Sequence, residues 1–370
     1  MDPEIIVQEA AVTAFSVILV TKREAVEPFL LDIFKIVLSV FKKNEANNKD
    51  NNDIYKNSLS NLFEIFSLLT ENFEEAFRNE SISMELINLV FNIWIKNLRS
   101  YKENKNSNIN NNDNNNISII FDMIISLVKA ASYSISTNLI SNFLEGIFEI
   151  LKINYDNYEK ENKDPNIIDK DLITKCFDLL SNIYISVPGY MLNFENKNLI
   201  VIYIYKFLDL NEDYLNHYCI ALLGDIARND NIILKDNINF IINNLIKNLE
   251  LPNMTNTNKN QRNIIDNNDS DIEMEKLSVC NNSCWTIGII AMSYPNSIKD
   301  FIDIIMKKLI KIISLPRLNK SLAQNVCISI GRCANIFPEI ISNYFDRFLK
   351  QFCLSLRNIK DSIEKQEAFM

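Results

Sequence analysis

Apolar residues along this chain recur at the three-to-four-residue spacing of amphipathic helices, not in the alternation of strands. Ile5, Ala10, Ala14 and Ile18 mark a first helix, and Phe29, Ile33, Val37 and Phe41 a second that begins near Pro28. Together they predict a helical hairpin. The pattern predicts further pairs at 54–71 with 81–100, 117–135 with 138–154, 169–186 with 197–209, 212–229 with 232–250, 276–293 with 297–314 and 320–336 with 339–355. Three polar tracts rich in Asn, Lys and Asp interrupt it, at 44–53, 102–116 and 252–275. These lack the apolar surface that offsets ordering entropy and are predicted to be disordered insertions.

Glycines expose a longer period. Gly224, Gly288 and Gly331 sit in similar apolar helical frames, ALLGDIA, CWTIGII and CISIGRC. A glycine inside a helix costs about 1 kcal/mol relative to alanine, so its recurrence implies close crossing of a neighbouring helix. Gly288 and Gly331 are 43 positions apart, and Gly224 and Gly288 are 64 apart. Removing an insertion of about 20 residues brings the second spacing to about 44, so both fall in the HEAT and armadillo range of ~40–47. The fold class predicted is all-α, a HEAT-repeat right-handed α-solenoid of antiparallel helix hairpins, with about seven to eight hairpins in a single array over 1–370.

Composition agrees with this reading. Hydrophobic residues make up 47% of the 370 residues, enough for a core, while 5 Gly and 8 Pro supply too little turn chemistry for many short strands. The net charge of −9 argues against a surface that tracks phosphates and favours basic ligands, so no nucleic-acid partner is expected. The opening Met-Asp-Pro-Glu lacks the positive region of a signal peptide, and Asp32 and Lys35 interrupt the apolar stretch 29–41, so no membrane partner is expected either. Seven cysteines without a C-x-x-C pattern suit reduced core thiols.

Catalytic chemistry finds no support. The single histidine, His217, falls near a helix start among polar residues and reads as a surface group. Cys280 and Cys284 share a helix face but lack further metal ligands. Phosphate-cradling glycine motifs do not occur. No catalytic residue, cofactor or metal is expected, and the acidic run Asp266, Asp269, Asp271, Glu273 and Glu275 reads as a solvated tether.

Several runs carry a family resemblance: SVCNNSCWTIG at 278–288, AQNVCISIGR at 323–332 and CLSLRNIKD at 353–361, with weaker likeness at ALLGD (221–225), FDLLS (177–181) and VQEAA (7–11). In these runs and their spacing the chain resembles the transportin branch of the karyopherin-β (importin-β) family, from about the middle of its array to near the end. The resemblance implies a nuclear import receptor fragment, not an enzyme, that shuttles between cytoplasm and nucleus through the nuclear pore. Its implied partners are cargo proteins with basic or proline-tyrosine nuclear localisation signals, nucleoporins, and the GTPase Ran only in the full-length receptor. The N-terminal arch that binds most of Ran would lie outside this sequence, and the end at Met370 falls in what reads as mid-repeat, as in a truncated gene model or a fragment.

Carried over position by position, the resemblance implies that Trp285, Ile328 and Leu277 make apolar cargo contacts on the concave face, and that Asp178 and Asp225 are acidic contacts. Phe121, Ala10, Asn281 and Asn282 complete the candidate set. An indole face holds aliphatic or cationic side chains, and carboxylates draw in Lys and Arg. Competing readings stand beside these. Trp285 also suits a core aromatic between hairpins, Asp225 a buried carboxylate with a structural partner, and Asn281 and Asn282 caps of the helix that carries Trp285. Lys175, Ile185, Val20 and Ser60 depart from the family pattern, which weakens the proline-tyrosine part of the implied site. From a different class, a HEAT scaffold holding folded partners along its ridges remains the alternative function.

Overall fold

The computed structural model describes residues 5–30, 32–36, 39, 65–66, 68–70, 80–106, 114–230, 232–251, 267–316, 318–357 and 360–369, and among them every regular element is helical. The tract 44–53 lies outside the described residues, as do 107–113 and 252–266. The remainder of the two later tracts is helical: one helix runs on to Asn106, the next starts at Asn114, and another starts at Asn267. Of the acidic run, Asp266 lies outside the described residues, and Glu273 and Glu275 lie within a helix and not in a tether. The chain divides into two compact units, Met1–Val187 and Pro188–Met370.

The first unit contains α1 (Ile5–Thr21), α2 (Glu80–Asn106), α3 (Asn114–Ala131), α4 (Thr137–Lys160) and α5 (Lys170–Ser186). Helix α3 packs against both α2 and α5, and α4 packs against α5. Trp94, Phe121 and Phe143 form the aromatic centre, with ring centroids of Trp94 5.1 Å from Phe121 and 6.1 Å from Phe143, both edge to face. Gly146 on α4 makes room for it, since a Cβ there would stand 2.5 Å from the Trp94 ring. The buried Asn154 ties three elements: its amide donates to Tyr101 Oη at 2.8 Å and to the Ile150 carbonyl at 2.9 Å, and its Oδ1 accepts from Asp169 N–H at 3.0 Å. Ser136 and Asp169 cap α4 and α5 by accepting from Leu139 and Leu172 N–H. In α1 the stripe Ala10, Ala14 and Ile18 faces outward, whereas Leu19 is buried.

The second unit contains α6 (Asn198–Leu208), α7 (Asp213–Asn229), α8 (Ile238–Lys247), α9 (Asn267–Ser293), α10 (Ile302–Ile313), α11 (Lys320–Ile336), α12 (Phe345–Leu356) and the one-turn α13 (Ile363–Glu367). Helices α7, α9 and α11 stack in one row with α13 against α11, and α6, α8, α10 and α12 back them. The glycine frames meet within that row. A Cβ on Gly224 would lie 2.1 Å from the Trp285 ring, one on Gly288 3.0 Å from Ser329 Cα, and one on Gly331 2.4 Å from the Ala368 carbonyl oxygen. Close crossing is thus the reason for all three.

The frames also share polar rungs. Thr286, two before Gly288, donates its hydroxyl to the carbonyl of Ile220, four before Gly224, at 2.9 Å. Ser329, two before Gly331, donates in the same way to the carbonyl of Cys284, four before Gly288. Each rung satisfies a buried hydroxyl that would otherwise cost about 1–3 kcal/mol. A second periodic device ends the helices: Val187, Tyr294 and Phe337 share φ of −135°, −130° and −128° with ψ of 54°, and each precedes a proline. A residue before proline is driven out of the helical region, so the chain turns there and Pro188, Pro295 or Pro338 starts the next short helix. Asp230 ends α7 instead, with its carboxylate 2.5 Å from Lys197 Nζ.

Candidate functional site

The stacking that buries one side of α9 leaves Trp285 half-buried at its edge, with the indole seated in the notch at Gly224. Its Nε1–H donates to Glu364 Oε1 at 2.7 Å. The Arg228 guanidinium lies 5.4 Å from the ring centroid, within cation–π range. Arg228 also approaches Glu364 at 3.4 Å and Glu367 at 3.9 Å. From α11, the fully buried Arg332 reaches Glu364 at 3.3 Å and Glu367 through Nε at 2.9 Å and Nη2 at 2.6 Å. Glu364 therefore receives donors from α7, α9 and α11 at once. Burial pushes its carboxyl up, but the Trp285 N–H and the two guanidiniums outweigh burial and hold it below the usual carboxylate range.

Asn281 and Asn282 lie well inside α9 and do not cap it, because the helix begins at Asn267. They join helices instead. Asn282 Nδ2 donates to the His217 carbonyl at 2.8 Å, and Asn325 Nδ2 donates to Asn281 Oδ1 at 3.1 Å. With the 3.5 Å link from Asn281 Nδ2 to Asn282 Oδ1, a chain of amides crosses α7, α9 and α11. His217 is half-buried, not a surface group; its ring centroid lies 4.1 Å from that of Tyr218, and burial lowers its pKa against hydrogen bonds to backbone carbonyls.

The other candidates separate by burial. Leu277 is half-buried on α9. Ile328 is 4% exposed and Phe121 0%, so both spend their apolar surface on the core and present none to a ligand. Asp225 is 8% exposed, in agreement with the reading of a buried carboxylate rather than an open acidic contact. Ala10 is exposed on α1. Asp178 is half-buried on α5, bonded to Asn182 Nδ2 at 3.0 Å. Burial raises its pKa, opposed by Lys129, Lys175 and Asn182. Lys175 pairs with Asp122, and Ser118 donates to Asp171 at 2.6 Å, so Asp178 sits in a mixed-charge surface, not an acidic one. Ile185 is exposed, and Val20 and Ser60 have no described side chains. Cys280 and Cys284 are buried free thiols, and burial pushes the Cys284 thiol well up, which makes it unreactive.

Arg228, Arg332, Glu364, Glu367 and Asn325 were not among the sequence candidates. One signal for them existed: Arg332 directly follows Gly331, the frame position held by Asp225 in one earlier frame, and Glu364 and Glu367 share a helix face by their spacing of three.

Along 98% of its length the chain is 25% identical to transportin of Dictyostelium discoideum, of which it covers 34%. It is 25% identical over 201 residues to transportin-1 of Homo sapiens, 54% of this chain and 20% of that protein. The chain spans about a third or less of the length of these curated relatives. It matches no protein-family model. Among solved structures, importin beta crystallised in polyethylene glycol superposes with a TM-score of 0.68 at 12% identity, covering 99% of this chain and 41% of that one. Yeast importin-beta, Kap95p, gives 0.57 at 12% identity, covering 93% and 42%. In sequence this chain is similar to the Dictyostelium transportin over nearly its whole length and to human transportin-1 over about half of it, and in fold it is an all-α HEAT-repeat solenoid of the importin-β kind.

Proposed function

We propose that this chain is the cargo-binding part of a nuclear import receptor, taking extended nuclear localisation segments along the row α7–α9–α11. The observation that carries the reading is Trp285, a half-exposed indole set in a glycine notch beside the amide chain of Asn281, Asn282 and Asn325. An aromatic anchor holds one side chain of an extended ligand, and the amides beside it, bonded to one another and to the His217 carbonyl, keep a second donor each for its backbone. The net charge of −9 favours a basic segment. Leu277 adds apolar surface on the same helix as Trp285. Nucleoporins, Ran, and shuttling between cytoplasm and nucleus belong to this reading through the transportin likeness and concern the longer receptor.

Titration of labelled basic and proline-tyrosine signal peptides against the chain tests the proposal. Binding to the basic peptide should weaken at least about tenfold in Trp285→Ala at equal folded content. Affinity that is absent for both peptides, or indifferent to Trp285, overturns it.

A further inference from the structure

We infer that the short helix α13 is an internal occupant of the Trp285 face, a gate that an extended ligand must move aside. The inference rests on the reading of that face as a cargo wall. Trp285 is not offered bare: its only N–H donor is spent on Glu364, and Arg228 lies over its ring while also facing Glu364 and Glu367. A ligand that uses the indole therefore competes with contacts already made within the chain.

The construction of α13 suits displacement. It has five residues, too few for a helix that stands alone. Its own N-terminal cap is one bond, Lys365 N–H to Ser362 Oγ at 3.2 Å. Apolar anchorage is limited: Ile363 is 72% exposed, Phe369 is 58% exposed with its ring edge to face on Phe352 at 5.5 Å, and Ala368 is buried against Gly331. What holds the segment is the charged face, Glu364 on Trp285, Arg228 and Arg332, Glu367 on Arg332, and the Asn335 amide on the Glu367 carbonyl at 2.6 Å. A basic ligand that displaces α13 pairs its own cations with the released carboxylates, while Arg228 and the fully buried Arg332 lose theirs, so the exchange has to overcome the attraction that holds the gate shut.

Glu364→Ala removes the acceptor on Trp285 and Arg228 yet leaves the Arg332–Glu367 pair, so the unit keeps its buried ion pair. Two readouts decide. Without ligand, acrylamide quenching of tryptophan fluorescence should rise, because the other tryptophan, Trp94, is fully buried. With the basic peptide, affinity should rise roughly three- to tenfold, with Glu364→Gln between the variant and wild type, since a larger fraction of molecules is competent to bind. General electrostatics predicts the reverse, because the substitution removes a negative charge that attracts a basic peptide. Unchanged quenching, or equal or weaker binding while Trp285→Ala still abolishes it, overturns the gate and leaves the cargo wall standing. Increased quenching with no peptide bound by either protein overturns the cargo wall and the gate with it.

Discussion

Trp94 and Trp285 are seated by one device in the two units and end in opposite environments. Each indole fills the notch of a glycine on a neighbouring helix, Gly146 for Trp94 and Gly224 for Trp285. Trp94 is fully enclosed by Phe121 and Phe143, and among the described residues its Nε1 has no hydrogen-bond acceptor. Trp285 is half-buried, and its Nε1 is held by a carboxylate flanked by two guanidiniums. A glycine notch thus fixes where an indole lies; what encloses it decides whether the ring is core or surface. The difference teaches that a Trp–Gly pairing at helical spacing is no marker of a binding site by itself.

The sharpest way to break the comparison is to remove each ring. Trp94→Ala should lose about 3–5 kcal/mol of stability in urea unfolding followed by circular dichroism, because it opens a cavity in an enclosed core. Trp285→Ala should lose about 1–2 kcal/mol, since its ring is partly solvated in the folded state. Equal losses would erase the distinction between core and surface. Filling the notches gives a smaller effect. Gly146→Ala should destabilise by about 1–3 kcal/mol, as Trp94 has nowhere to go. Gly224→Ala should cost less, because the Trp285 ring has solvent on one side and alanine favours the helix by about 1 kcal/mol; a red shift in emission would report the displaced ring. Gly189→Ala, with nothing within 4 Å of the added methyl, serves as the reference.

The smallest effects are the pH dependences, and they have opposite signs in the two units. Glu364 has a lowered folded pKa, so its contribution is present above its unfolded value of about 4.3 and is lost as pH falls through the folded one. Asp178 has a raised folded pKa, so its relative stabilisation is present below its unfolded value of about 3.9 and is lost as pH rises through the folded one. Urea midpoints measured from pH 3 to 7 should show Glu364→Gln losing its deficit at the acid end. Asp178→Asn should be more stable than wild type at pH 7 and equal to it at the acid end. Slopes of the same sign in both would contradict the two environments.

Helix positions were legible because burial on one face imposes the 3.6-residue period directly on residue type. Of the predicted pairs, 169–186 with 197–209 and 320–336 with 339–355 lie close to α5 with α6 and α11 with α12. The tract boundaries were less legible. Asn-rich residues 102–106, 114–116 and 267–275 read as loop by composition, yet they extend helices whose packing lies further along the same element. The polar rungs of Thr286 and Ser329 were in the sequence too, at fixed offsets from glycines, although their hydroxyls gain meaning only from the neighbouring carbonyl.

By itself the sequence determined the all-helical class, the repeat, the glycine crossings and Trp285 as a residue of note, since each follows from periodicity within one or two neighbouring elements. The tertiary structure alone decided which candidates have a surface to offer. It buried Phe121, Ile328 and Asp225, put Asn281 and Asn282 between helices, and placed Glu364 on an indole 79 positions earlier. The physical reason is that periodicity reports which face of a helix is apolar, whereas exposure and charge pairing depend on elements distant in the chain that happen to stack beside it.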